Sequence, residues 1–199
     1  MKFPLILASQ SPRRRQLLID AGFTFIVHAA DSDVEDHRRT DETPEHYVER
    51  LAVQKADNVA LKYERGLIIG CDTIVCCGDR ILEKPADRDD ARQMLHFLRG
   101  RIQIVLSGLC LLSKNISGDD ITAMKLGTDR TTLLMQPITD LEIEEYLASG
   151  LWFGKSGGFG YQDRHDWLSI IEGSESNIVG LPMELLNRML KLFEVCPAG

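Results

Sequence analysis

The sequence FPLILASQSPRRRQLLIDAG, residues 3–22, places a buried strand directly before a helix. The apolar run from Phe3 to Ala8 predicts the strand. Ser11 is a favourable N-cap, Pro12 suits the first helical position, and Gly22 is typical of the residue that follows a helix. A strand that continues at once into a helix is a typical unit of an α/β protein.

The first turn of this predicted helix carries three consecutive arginines, Arg13, Arg14 and Arg15. The backbone dipole is already positive there, so each cation costs the empty helix roughly 0.3–1 kcal/mol. A helix N-terminus also offers free N–H groups to an anion, and nearby cations deepen that site for a ligand with several negative charges. The arginines therefore predict a phosphate-binding site at the start of the helix.

The composition of the 199-residue chain is typical of a soluble globular protein, with 44% hydrophobic and 27% charged residues. No apolar run approaches the roughly 20 residues of a membrane span, and the N-terminus lacks a signal-peptide pattern. We therefore expect a cytoplasmic protein without a membrane partner. The net charge of −7 argues against a general nucleic-acid binder. Five cysteines without a CxxC pair favour reduced thiols over a disulfide framework or a zinc site.

Hydrophobic periodicity extends the alternation of strands and helices along the chain. Strands are predicted over 3–8, 23–27, 67–77, 81–82, 103–112, 122–126, 128–135 and 167–171, and helices over 12–21, 43–61, 88–99, 140–149 and 182–194. Thr139 and Glu142 form the pattern of a capping box for the fourth helix. Alternation in the N-terminal half, followed by a β-meander, predicts an α/β fold with a mixed sheet.

Two charged residues contradict their surroundings. Asp72 interrupts the apolar stretch 67–75, where a carboxylate is costly unless it is paired, hydrogen-bonded or bound to metal. It is either a capping or turn aspartate, or a metal ligand or general base. Lys55 falls near the centre of the apolar stripe of the helix over 43–61. Its side chain either extends to solvent from that stripe or points into a cleft at an anion.

Lys84 and Glu35 are less distinctive. Lys84 would be a solvated loop lysine on its own, and Glu35 lies in the acidic segment 31–36, which is either solvated or supplies oxygen ligands for Mg²⁺ or Mn²⁺. The histidines show no metal-binding spacing, and neither a Walker motif nor a nucleophile elbow is present. Cations and carboxylates without a nucleophile–base pair are typical of metal-assisted chemistry on a phosphate ester.

Six motifs, in this order, resemble the Maf family over about residues 4 to 190. They are residues 7–14 (LASQSPRR), 33–35 (DVE), 54–56 (QKA), 70–75 (GCDTIV), 82–85 (LEKP) and 179–182 (VGLP). The resemblance implies a nucleoside triphosphate pyrophosphatase that cleanses nucleotide pools with Mg²⁺ or Mn²⁺. It also implies a homodimer and a single Maf-like domain over residues 1–199. The implied fold is α/β, an elongated mixed β-sheet flanked by helices, with two lobes around a central active-site cleft.

The same resemblance assigns the triphosphate-binding residues. Ser9, Arg13 and Arg14 would hold the triphosphate at the helix start. Arg15 has no counterpart in the motif, and we expect it to face solvent.

The resemblance also assigns the residues nearest the chemistry. Lys55 and Lys84 would be cationic phosphate ligands at the catalytic centre. Glu35 and Asp72 would bind the metal, and Asp72 would also accept the proton of the attacking water.

Three positions resemble the branch of the family that acts on dTTP and UTP: Arg13, Thr73 and Gln162. The branch that prefers 7-methyl-GTP tends to carry tryptophan, glutamine and glutamate there. A glutamine can hydrogen-bond a pyrimidine edge through both amide atoms. The chain departs from the family pattern beside this base pocket, with LWFG at 151–154, Ser156 and Asp163.

Three other functions stay open at this point. The same chemistry could act on 7-methyl-GTP or another modified nucleotide. A non-catalytic nucleotide or nucleic-acid binder would use the arginines to contact phosphates. A structural or division-regulating role through partners would leave little trace in one sequence.

Overall fold

The computed structural model describes residues 3–31, 34, 36–114, 123–163 and 165–195. In these ranges the chain forms seven β-strands and six α-helices. The strands are β1 (Leu5–Leu7), β2 (Ile26–Val27), β3 (Gly66–Cys77), β4 (Arg80–Leu82), β5 (Ile102–Lys114), β6 (Ala123–Met135) and β7 (Leu168–Glu172). The helices are α1 (Pro12–Asp20), α2 (Pro44–Ala60), α3 (Arg88–Leu98), α4 (Asp140–Ser149), α5 (Glu175–Val179) and α6 (Met183–Lys191).

The strands form one mixed sheet in the order β2-β1-β3-β5-β6-β7, and β4 pairs with β3 outside this path. β1 is parallel to both β2 and β3, whereas β4 is antiparallel to β3 and β7 is antiparallel to β6. The predicted α/β fold with a mixed sheet and flanking helices is confirmed.

Three elements differ from the sequence-based prediction. Strand β2 comprises only Ile26–Val27 of the predicted 23–27. β6 is one continuous strand rather than two, because Gly127 stays within the ladder instead of ending it. A Cβ at Gly127 would lie 3.4 Å from the Leu185 side chain, which is ordinary contact, so the glycine marks neither a turn nor a forced approach. Helix α5 was not predicted, since its five residues are too few to show a helical period.

The chain folds into two compact units, and each is described by itself. The first unit comprises Met1–Asp72, Ser107–Asp129 and Gly180–Gly199, and the second comprises Thr73–Leu106 and Arg130–Val179. The predicted single domain with a cleft between two lobes stays a prediction.

The first unit buries both faces of its part of the sheet. Alternate residues of β1 point to opposite faces, so that Leu7 packs with α1 and α6 while Ile6 packs with α2. Helix α2 lies unusually close to the sheet at two glycines. A Cβ at Gly70 or at Gly108 would overlap a backbone carbonyl of α2.

The second unit has its own core, in which α3 and α4 pack on the strands. Leu95 of α3 and Leu147 of α4 meet Leu133 of β6 in one buried cluster. The predicted capping box at the start of α4 is present, because the Thr139 side chain accepts from the Glu142 backbone and the Glu142 side chain accepts in return. No helix in the described ranges is both long and apolar enough to cross a membrane.

Candidate functional site

The three arginines of helix α1 differ in how far they are buried. The Ser11 hydroxyl caps the helix by accepting from the Arg14 backbone N–H at 3.4 Å. Arg14 is buried, Arg13 is half-buried, and Arg15 is exposed. The expectation that Arg15 faces solvent is confirmed.

Two oxygen acceptors orient the Arg14 guanidinium. Its Nε donates to the backbone carbonyl of Gly180 at 2.6 Å, and its Nη1 donates to the Ser9 hydroxyl at 3.1 Å. Gly180 adopts φ 115°, a conformation that side-chain-bearing residues rarely take. The structure thus brings Ser9 and Arg14 together, and the rigid fork of the guanidinium has a defined direction. The carbonyl of Gly180 was missed from sequence, where its only sign is a glycine before Leu181.

Lys55 and Asp72 form a buried ion pair. The Lys55 ammonium donates to the Asp72 carboxylate, and the two side chains are only 8% and 12% exposed. Lys55 therefore does not extend to solvent from the apolar stripe of α2. Gly70 permits the pair, because its missing Cβ lets α2 approach β3 two residues before Asp72.

The Gly180 carbonyl also connects Arg14 to the strand residue beside Asp72. It accepts from the Cys71 thiol at 3.2 Å as well as from Arg14, and Cys71 is the neighbour of Asp72 in β3. Ser9 follows β1, which runs parallel to the first part of β3. Ligands of open α/β sheets bind beyond the carboxyl ends of parallel strands, which is where these side chains gather.

The second unit carries Thr73, Lys84 and Gln162. The Ser156 hydroxyl donates to the Thr73 carbonyl at 3.0 Å, and the Gly157 N–H donates to the carbonyl of Glu83, beside Lys84, at 3.0 Å. Lys84 and Gln162 are both exposed. The segment 154–163 therefore contacts the backbone at or next to two of the predicted residues and itself contains the third.

Polar side chains within and beside the segment 154–163 form a network that sequence reasoning missed. Lys155 and Tyr146 both donate to Oδ2 of Asp163, the latter at 3.0 Å. The available signal was Asp163 itself, a departure from the family pattern. Its partner on α4 lies 17 residues earlier in the chain.

Glu35 lies outside the described residues. Residues before and after it form hydrogen bonds with side chains of helix α2. Asp36 accepts from the Gln54 amide at 2.8 Å, and Glu42 accepts from Arg50 at 2.7 and 2.8 Å. The Arg50 hydrogen bonds lower the pKa of Glu42 to about 2. On the other side, Lys62 lowers the pKa of Asp31 through a hydrogen bond.

The residues available for a metal are oxygen donors. No group of three or more histidine, cysteine or acidic side chains that could hold a metal occurs in the described part of the chain. The Asp72 carboxylate is a hard donor of the kind that Mg²⁺ and Mn²⁺ prefer, so it fits either ion in chemical type. The four described cysteines are buried and not disulfide-bonded, as predicted, and burial raises the pKa of Cys110 to about 12.

Comparison with known proteins gives consistent matches. Residues 4–193 match the family model described as "Maf-like protein". The "dTTP/UTP pyrophosphatase" of Rhodopirellula baltica is 44% identical over 96% of this chain and 82% of its own length. That of Elusimicrobium minutum is 37% identical over 95% of this chain and 98% of its own length.

A solved structure supports the fold alone. The Staphylococcus aureus Ham1 protein matches 96% of this chain and 99% of its own with a TM-score of 0.50, at 12% identity. The family model covers nearly all of the chain, and the relatives exceed 30% identity over most of their own length. The chain belongs to the Maf-like family.

Proposed function

We propose that the protein is a nucleoside triphosphate pyrophosphatase that hydrolyses dTTP and UTP to the nucleoside monophosphate and pyrophosphate. The observation that carries this proposal is the buried cation–carboxylate pair of Lys55 and Asp72, which lies next in sequence to Cys71, whose thiol bonds the same Gly180 carbonyl as Arg14. The names of the relatives, "dTTP/UTP pyrophosphatase", support the reaction and the substrate.

The first unit supplies groups for anhydride hydrolysis. Arg14, oriented by Ser9 and Gly180, would neutralise phosphate oxygens at the start of α1, together with Arg13. Asp72 would accept a proton as a water oxygen bonds to the α-phosphorus of the α–β anhydride. The bond from that phosphorus to the bridging oxygen breaks, and pyrophosphate leaves with the electron pair. Lys55 would hold the Asp72 carboxylate in place and, like Lys84, would contact phosphate oxygens.

Asp72 and Glu35 would hold the divalent cation, Mg²⁺ or Mn²⁺. When bound, such an ion offsets negative charge on phosphate oxygens. The protein would contribute the two carboxylates and the neighbouring lysine, which keeps Asp72 oriented.

The pyrimidine preference is proposed from Arg13, Thr73 and Gln162. The Gln162 amide offers both a donor and an acceptor, which match the imide edge of thymine or uracil. Its exposed side chain is accessible to a base. From the family resemblance we also propose that the protein is a cytoplasmic homodimer. Light scattering during gel filtration would test the dimer by measuring the mass of the protein in solution.

A nucleotide panel tests the proposal. Pyrophosphate release would be measured for dTTP, UTP, CTP, GTP, ATP and 7-methyl-GTP, with Mg²⁺, with Mn²⁺ and with EDTA. We expect the highest kcat/KM for dTTP and UTP and no release with EDTA. If kcat/KM were highest for 7-methyl-GTP, the protein would carry out the same chemistry on this alternative substrate. Binding of triphosphates or single-stranded DNA without any hydrolysis would instead indicate a non-catalytic binder.

A further inference from the structure

We propose that Tyr146, Asp163 and Lys155 form an anchor that positions Gln162 for base selection. The inference rests on the proposed function, because it concerns the choice of base by that site. It makes Tyr146 and Asp163 positioning residues, since they act on the base through Gln162 rather than by contact. The anchored segment is residues 154–163, called the base loop below.

The anchor closes the base loop on itself. Lys155 near its start donates to Asp163 at its end, and the two side chains are 10% and 16% exposed. A Cβ at Gly160 would overlap the Asp163 carboxylate and lie 2.9 Å from the Lys155 ammonium. Glycine at position 160 therefore leaves the space in which the ion pair forms.

Tyr146 fixes the closed loop to a helix. Its hydroxyl donates to Asp163 at 3.0 Å and accepts from the Gly160 N–H at 3.1 Å. The residue is 3% exposed on the buried face of α4, and its ring lies 5.3 Å from that of Trp167. One hydroxyl in a packed helix thus holds two points of the base loop.

Gln162 lies between these two points. The Asp163 N–H donates to the Gly160 carbonyl at 3.1 Å, which closes a tight turn around Gln162. A shift of this turn would lengthen the bond between Gly160 and Tyr146 or the bonds from Tyr146 and Lys155 to Asp163. The backbone of this exposed base-reading residue is therefore set by buried partners.

The base loop also reaches Thr73, another predicted specificity residue. Ser156 donates to the Thr73 carbonyl, one residue after Lys155. A displaced anchor would therefore disturb two of the three positions from which the pyrimidine preference is proposed.

A buried ion pair adds little net stability compared with apolar residues of similar volume, because desolvation offsets the attraction. Hydrogen bonds nevertheless define one geometry for the groups they join. The Lys155–Asp163 pair is thus better suited to fixing the position of the base loop than to stabilising the fold.

Three variants test the inference: Tyr146→Phe, Asp163→Ala and Asp163→Asn. Dissociation constants would be measured by calorimetry for the α,β-methylene analogues of dTTP and GTP, and kcat and KM for dTTP, UTP and GTP. Tyr146→Phe removes only the hydroxyl. Asp163→Ala removes the acceptor for both donors, whereas the amide oxygen of Asp163→Asn can still accept from both. Tyr63→Phe is the matched control, because its hydroxyl bonds His28 far from the base loop in sequence.

We expect Tyr146→Phe and Asp163→Ala to reduce the preference for thymine over guanine at least about tenfold, mainly through KM for the pyrimidine substrates. Asp163→Asn should recover most of the preference, and Tyr63→Phe should keep all of it. Unfolding midpoints in urea would show that each variant is folded. Preferences within twofold of the wild type in folded Tyr146→Phe and Asp163→Ala would overturn the inference, and so would an equal loss for all bases.

The failure of the proposed function has a different signature. Wild-type protein that binds the dTTP analogue but releases no pyrophosphate would overturn the enzymatic proposal, while the ratio of dissociation constants would still test the anchor. Wild-type protein that does not discriminate between the two analogues would overturn the anchor's role.

Discussion

Lys55 and Asp72 are 17 residues apart in the chain, on a helix and a strand, and form a buried hydrogen-bonded ion pair. Either charge alone would be costly at this depth, since an uncompensated buried charge lowers stability by about 3–5 kcal/mol. The pair therefore ties the position of α2 to that of β3 at the point where the proposed chemistry takes place.

Lys55→Met should lower the free energy of unfolding by about 3 kcal/mol, because it leaves the Asp72 carboxylate buried without its cation. The double variant Lys55→Met with Asp72→Asn should lose less than the sum of the single variants. Urea unfolding of all four proteins measures this coupling. Additive losses would show that the pair does not act as a unit.

Asp72→Asn should reduce kcat for pyrophosphate release from dTTP at least about 100-fold, the usual effect of losing a general base. The protein should remain folded, and dTTP with Mg²⁺ should still raise its melting temperature, because the arginines that hold the phosphates are unchanged. Asp79→Asn is the matched control, as an exposed aspartate at the β3–β4 turn, where asparagine is equally suitable. Near-normal turnover by Asp72→Asn would remove Asp72 from its proposed role.

The strand and helix order could be predicted from sequence because the core residues follow simple periods. Leu5 and Leu7 face one layer and Ile6 faces the other, as strict alternation requires. Periodicity failed at Gly127, where a glycine continues a strand, and at α5, which is shorter than two turns. Both cases depend on tertiary packing, which a local window does not contain.

Sequence reasoning proposed the residue types of the candidate site but not their pairings. Lys55 and Asp72 each contradicted a local pattern, yet nothing local indicates that they meet, since the approach depends on Gly70. The Gly180 carbonyl was missed because a backbone acceptor has no residue type to mark it. Tyr146 was missed because a tyrosine on a buried helix face looks like ordinary core.

Gly70→Ala should reduce both stability and activity. The added Cβ would overlap the Ala52 carbonyl and lie 2.9 Å from the Ala56 side chain, so α2 must move away from β3 and take Lys55 with it. Overpacking of this kind costs about 1–3 kcal/mol. Gly127→Ala is the control in the same unit, because its Cβ would make only ordinary contact. Urea unfolding and dTTP turnover measure the two effects, and equal behaviour of the two variants would contradict the close approach.

Arg14→Lys should raise KM for dTTP about tenfold although the charge is kept, because an ammonium cannot reproduce the fork that bonds Gly180 and Ser9. Arg15→Lys, on the exposed side of the same helix turn, should leave KM unchanged. Initial rates over a range of dTTP concentrations measure both. If the two variants have the same KM, the buried Arg14 does not contribute more to dTTP binding than the exposed Arg15, and the prediction is wrong.

Glu42→Gln should lower stability at neutral pH by about 1 kcal/mol, the scale expected for a well-oriented ion pair near the surface. Arg50 lowers the pKa of Glu42 from 4.5 to about 2, so the folded state favours the ionised carboxylate. The resulting stabilisation is fully present above pH 4.5, decreases below it, and is lost as the pH falls through about 2. The difference in the free energy of unfolding between wild type and Glu42→Gln should therefore shrink between pH 6 and pH 3, as urea titrations would show.

Arg50→Gln removes the other partner and should give the same pH dependence. A difference that stays constant over this range would mean that the Arg50–Glu42 contact does not stabilise the folded protein.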